Sequence, residues 1–210
     1  LTVHPVTPEA RLINQAVAMM RKGAVIVYPT DSCFALGCQM GDRDAQERIR
    51  RLRQLDDRHN FTLVCRDLSE IATYAKVDNR AYRLMRSLTP GPYTFILPAT
   101  HETPRRLQNP RRKTIGIRVP EHPVASALLA ALGEPIMSST LLLPGEDHPL
   151  TDVEEITRRI GGLVDVLLES GHCGLVPTTV VDLTGDVPEV LRFGAGDPTP
   201  FGARAPVAED

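Results

Sequence analysis

The chain has 210 residues, of which 42% are hydrophobic, and a formal net charge of -2. That length suits one core-bearing domain, and the near-balance of charge excludes a uniformly basic nucleic-acid binder while leaving room for a local basic face. The four cysteines form no CxxC pair, no apolar run approaches the roughly 20 residues a spanning helix needs, and no signal-peptide pattern is present, which together exclude a disulfide scaffold and a membrane protein and point to a reducing, cytoplasmic setting.

Thr7 and Pro8 predict a helix start, with Leu12, Ala16 and Met20 at helical spacing up to Gly23. Residues 24–28 read as a strand buried on both faces. Pro29 ends it, and Thr30, Asp31, Ser32 and Cys33 follow at the strand end, where open α/β sheets place ligands. On residue type alone these four have the plainer role of a capped polar turn. Residues 34–40 return as an extended segment in which Gly37 permits close approach. Asp42 opens a helix with Ala45, Ile49 and Leu52 on one face and Arg48, Arg51 and Arg58 on or beyond the other. A strand over 61–65 precedes a helix started by Asp67 and Glu70, and Asp78 caps the next helix, which bears Ala81, Leu84, Met85 and Leu88. A strand over 93–97, an arginine-rich stretch over 105–113 and a strand over 114–119 come next. They are followed by a helix over 124–132 closed by Gly133, an apolar, hydroxyl-rich strand over 135–143, and a short helix with Thr151 and Glu154 as its capping box. Strands over 164–168, 178–183 and 189–193 complete the chain. Helices alternating with runs of strands predict an α/β fold with a mixed sheet.

Neither GxxxxGK[ST] nor a strand-linked GxGxxG is present, so phosphate would have to be held by arginine forks, with Arg51, Arg53, Arg118 and Arg192 the candidates. Arg118 and Arg192 sit in apolar strand patterns, where a charge is costly unless it meets a carboxylate or faces a ligand. Hydroxyls recur at strand ends: Thr30, Ser32, Thr94, 138–140, Thr178 and Thr179. The histidines show no metal-ligand spacing. A Cys33, His59 and Asp31 hydrolase lacks any nucleophile-elbow motif, and no residue is assigned as acid, base or nucleophile.

Several stretches, in order, resemble the YrdC/YciO family, most closely its YciO branch. YPTDSCFALG is similar to the family's YPTETVYGLG, PGPYTFIL to WPGPLTLIL, IGIRVPEHPVASALL to a VAVRVPxHP segment, and PTTVVDL with VLRFGAGD to PSTVVDL and ILRPGA. The resemblance implies a single twisted open mixed sheet flanked by helices over residues 7–201, with a flexible tail over 202–210. It implies a monomer that binds nucleotide and RNA. It further implies synthesis of threonylcarbamoyl-AMP from threonine, bicarbonate and ATP with Mg, for tRNA modification, with no tightly bound cofactor. Residue by residue, it assigns threonine to Thr30, His59, Arg118, Ser139 and Thr178, and the nucleotide to Arg51, Arg53, Thr94 and Arg192. Two departures stand out: the family's Lys-x-Arg is Arg51-Leu52-Arg53 here, and its Ser-x-Asn is Ser139-Thr140-Leu141, which sets an apolar side chain where an amide positions nucleotide. The alternative is a non-catalytic double-stranded RNA or tRNA-binding module, carried by the nearly uncompensated cations Arg105, Arg106, Arg111, Arg112 and Lys113. As a ligand residue, Arg118 is expected to hold an unpaired charge in the free protein and to cost little stability when changed to Gln.

Overall fold

The structure, a computed structural model, describes residues 1–56 and 61–207. The strands β1 (Ile26–Tyr28), β2 (Ala35–Gln39), β3 (Thr62–Val64), β4 (Tyr93–Pro98), β5 (Thr114–Arg118), β6 (Ile136–Thr140), β7 (Val166–Leu167), β8 (Thr179–Asp182) and β9 (Glu189–Arg192) form one sheet in the order β7-β1-β2-β6-β3-β5-β4-β8-β9. The sheet is mixed. Its parallel pairs are β1/β7, β3/β5 and β4/β8, and the others run antiparallel.

Because side chains alternate along a strand, cross-strand register sorts the sheet into rows that face opposite sides. Cys38, Met137, Leu63, Ile117, Phe95 and Val181 stand opposite one another in register, and all are buried in the larger apolar core. The helices α2 (Arg43–Arg53), α3 (Leu68–Tyr74), α4 (Asn79–Leu88) and α6 (Val153–Ile160) contribute Ile49, Ile71, Met85 and Ile156 to that core. The adjacent row is Ile26, Gly37, Ser138, Thr62, Gly116, Ile96 and Asp182. It faces the other way. There α1 (Ala10–Met20) and α5 (Pro123–Leu132) pack over Ile26, Tyr28, Ala35, Val64, Ile136 and Val166, covering the end of the sheet from β7 to β3. No helix of this second core reaches β5, β4 and β8, and their small and hydroxyl side chains are left as an open floor.

Gly37 is required by side chains rather than by neighbouring backbone: a Cβ there would stand 2.8 Å from both Tyr28 Cε1 and Ile136 Cγ2. Two helix starts differ from those the sequence suggested. Thr7 is occupied by His4, its hydroxyl lying 3.1 Å from His4 Nδ1, so α1 begins only after Glu9, whose carbonyl accepts from Leu12 and Ile13. The cap of α6 is Asp152, accepting from Glu155 N at 2.8 Å, one residue later than the Thr151 and Glu154 pair. Asp42, Asp67 and Asp78 cap α2, α3 and α4 as expected.

Candidate functional site

The uncovered floor is the base of a cleft of about 280 Å³. Strands β1 to β6, β8 and β9, the last turn of α2 and the turns between them converge on it. Behind β1, Thr30 closes its own turn: its hydroxyl donates to Cys33 O at 2.6 Å and accepts from Ser32 N and Cys33 N at 3.1 and 3.2 Å. The turn is capped, as residue type alone suggested, but by Thr30 rather than by Asp31 and Ser32. It also presents Asp31 and Ser32 to Arg118, the last residue of β5, whose guanidinium donates to Ser32 Oγ at 3.2 Å, to Gly91 O at 3.4 Å and to Asp31 Oδ1. The second oxygen of Asp31 accepts from Glu121 N at 2.9 Å. Arg118 is therefore paired, which corrects the expectation of a free charge. Its Nε–H is buried without an acceptor among the described residues, and a buried donor left unmatched marks a place for a ligand oxygen.

Arg53 and Arg192 differ from Arg118 in having no carboxylate partner among the described residues. Arg53, in the last turn of α2, donates to Leu142 O at 3.0 Å and to Ser139 Oγ. Arg192, on β9, donates to Thr178 O and Thr178 Oγ1, both at 2.9 Å, and Thr178 Oγ1 lies 2.8 Å from Thr94 Oγ1. Burial, together with the nearby Arg192 charge, holds the Arg53 guanidinium below its ordinary pKa. Burial lowers Arg192 as well, with Cys33 opposing that shift and Arg118 adding to it. Guanidiniums disfavoured by desolvation and by a neighbouring cation make a site complementary to an anion. At the floor, Ser138 Oγ donates to Leu36 O at 2.9 Å, so the Tyr28 hydroxyl is the donor in their 2.8 Å contact. Burial pushes Tyr28 up to about 12 and the Cys33 thiol up to about 11, so both stay protonated at neutral pH, and Cys33 is no nucleophile.

The cleft thus brings together Thr30, Arg53, Thr94, Arg118, Ser139, Thr178 and Arg192 of the expected set. Arg51 is not among them: its side chain is 78% exposed and pairs with Glu47 at 3.2 Å on the outer side of α2. Leu141 is fully buried in the larger core and does not line the cleft. His59 lies outside the described residues. Of the five expected RNA contacts, Arg112 lines the cleft and is bound to Asp182 at 2.9 Å and Thr184 at 2.7 Å, and Arg106 donates to Gln46 at 3.2 Å. The stretch is therefore compensated at Arg112 alone, leaving Arg105, Arg106, Arg111 and Lys113 exposed without an ion pair among the described residues, Arg106 bonded only to a neutral amide. Sequence reasoning passed over Tyr28, Thr62, Thr114 and Gly116, which also line the cleft. The signal was the even-numbered polar or small residues of TIGIR, alternating with buried isoleucines.

The family model for Sua5, YciO and YrdC, described as "Telomere recombination", matches residues 18–194. The chain belongs to the Sua5/YciO/YrdC family. It is 59% identical over 199 residues to the uncharacterized protein YciO of Escherichia coli K12, spanning 95% of this chain and 97% of YciO. The crystal structure of E. coli YciO superposes with a TM-score of 0.93 over 96% of this chain and 98% of that one. Threonylcarbamoyl-AMP synthase of Halorhodospira halophila is 33% identical over 172 residues, 81% of this chain and 89% of the synthase. The Sua5 of P. abyssi, solved with L-threonine, shares the fold at 24% identity and a TM-score of 0.83, with 92% of this chain on 57% of that one. The open mixed sheet is thus the family's fold. Among the described residues no helix is long and apolar enough to cross a membrane.

Proposed function

We propose that the cleft binds threonine and ATP, the latter as its magnesium complex, and forms threonylcarbamoyl-AMP. The observation that carries this reading is the pair Arg53, partly buried, and Arg192, more exposed, both without a carboxylate partner among the described residues and both bound to hydroxyls of the cleft. A triphosphate supplies the missing negative charge, and fixed cations stabilise charge gathering at phosphorus without reorganising. The unmatched Arg118 Nε–H and the Ser32 and Ser139 hydroxyls suit the carboxylate and hydroxyl of a small amino acid. The threonine amine and bicarbonate condense to a carbamate with loss of water. A carbamate oxygen then forms a bond to the α-phosphorus as the bond to pyrophosphate breaks. The protein supplies position and charge, and no covalent intermediate with a side chain is needed.

Pyrophosphate release from ATP with bicarbonate, with and without threonine, tests the reading. Threonine-dependent release that falls at least tenfold in Arg192→Gln supports it. A folded protein that binds ATP yet releases no threonine-dependent pyrophosphate overturns it. A second reading, RNA binding along 105–113, keeps support from exposed Arg105, Arg111 and Lys113. Neutralising these three should lower the salt slope of filter binding by about 2, at roughly 0.7–0.9 for each phosphate no longer neutralised. An unchanged slope would remove that reading.

A further inference from the structure

The segments that hold Arg118 in place also wall a second groove. Gly91, whose carbonyl accepts from Arg118, donates to Val119 O at 3.0 Å, and Glu121 N donates to Asp31. Thr89, Pro90 and Val119–Pro123, together with the C-terminal half of α4 and the first turn of α5, enclose about 520 Å³, and no residue of this lining is shared with the cleft. The size lies within the range of ordinary small-molecule sites.

The lining has two characters. Leu68, Val119, Pro120, Pro123 and the partly exposed ring of Tyr82 give an apolar wall. Four charged side chains accompany it. Arg66 and Asp67 neutralise one another at 3.2 Å. Arg86 and Glu121, by contrast, have no ion-pair partner among the described residues, and both are exposed. His122 accepts from Val124 N through Nδ1 at 3.1 Å, which leaves its Nε2–H as a neutral donor. An apolar wall bearing one unmatched cation and one unmatched carboxylate is complementary to a molecule with an apolar body and both charges.

We infer that this groove is a binding site for a free α-amino acid with an apolar or aromatic side chain, its carboxylate on Arg86 and its ammonium on Glu121. The inference is independent of what the cleft does. L-Phenylalanine is the probe, titrated into the full-length, 15N-labelled chain. The amides of Val119, Ser126 and Gly91 should shift, while those of Thr94 and Gly116 on the cleft floor stay in place. Arg86→Gln and Glu121→Gln, both at exposed positions that leave the fold intact, should each weaken binding about tenfold, because each removes one charge-assisted hydrogen bond. Phenylalanine amide and N-acetylphenylalanine, lacking one charge each, should bind as weakly to the parent. The inference is overturned if the shifts fall on the cleft floor, if no amide moves up to the solubility limit of the probe, or if all three probes bind both variants as they bind the parent.

Discussion

Arg51 and Arg53 are two residues apart on α2 and end on opposite sides of it, because two helical steps turn the side chain by about 200°. The residue that points the way for Arg53 is Ile49, one turn earlier on the buried face. Arg118 illustrates a different point. An arginine in an apolar strand can read as a ligand residue or as half of a buried pair, and the structure shows the pair: it holds Asp31, while one N–H has no acceptor among the described residues. With both side chains about nine-tenths buried, removing the cation strands a carboxylate, a loss of about 3–5 kcal/mol for one broken partner. Arg118→Gln should therefore lower the urea midpoint clearly, and Asp31→Asn with Arg118→Gln should cost less than the sum of the two. Additive losses would show that the pair contributes nothing as a pair.

At the scale of elements, what was local in the sequence was legible. Aspartates at positions 42, 67 and 78 cap the helices that follow because the carboxylate needs to reach only two or three residues ahead, and such bonds depend on nothing distant. The α6 start was displaced by one residue because TDVEE offers two overlapping capping patterns, Thr151 with Glu154 and Asp152 with Glu155. The two are separable by experiment: Asp152→Ala should destabilise by about 1 kcal/mol, whereas Thr151→Ala should change little. Denaturant midpoints of the two variants decide between the caps. Strand ends carried no such local signal, since pairing ends where a neighbour ends: most ran one to three residues long in the sequence reading, and 93–97 stopped one short of β4.

For the whole molecule the unreadable part was what register assembles. Arg112 and Asp182 are 70 residues apart, and only the parallel pairing of β4 with β8 and the antiparallel pairing of β4 with β5 brings them together. The pair shapes stability against pH. Burial raises the Asp182 carboxyl, but bonds from Thr184 and Arg112 outweigh it and hold the folded-state pKa below the ordinary value. The same holds for Asp165, which Arg48 and Val25 N engage. Carboxyls of this kind stabilise fully above the unfolded-state value of about 3.9 and lose that contribution as pH falls through their lower folded-state values. Urea midpoints should therefore fall steeply below about pH 4, and Asp182→Asn should flatten that limb while costing stability at pH 7. An unchanged acid limb would mean the carboxyl titrates alike in both states. The alternation that separates cleft from core has a further consequence for how such a chain can diverge. Thr94, Ile96, Thr114 and Gly116 line the cleft, while Phe95, Leu97, Ile115 and Ile117, interleaved with them, fill the core. A sheet built this way carries two messages on one strand, so ligand preference can drift under selection while the fold is inherited unchanged.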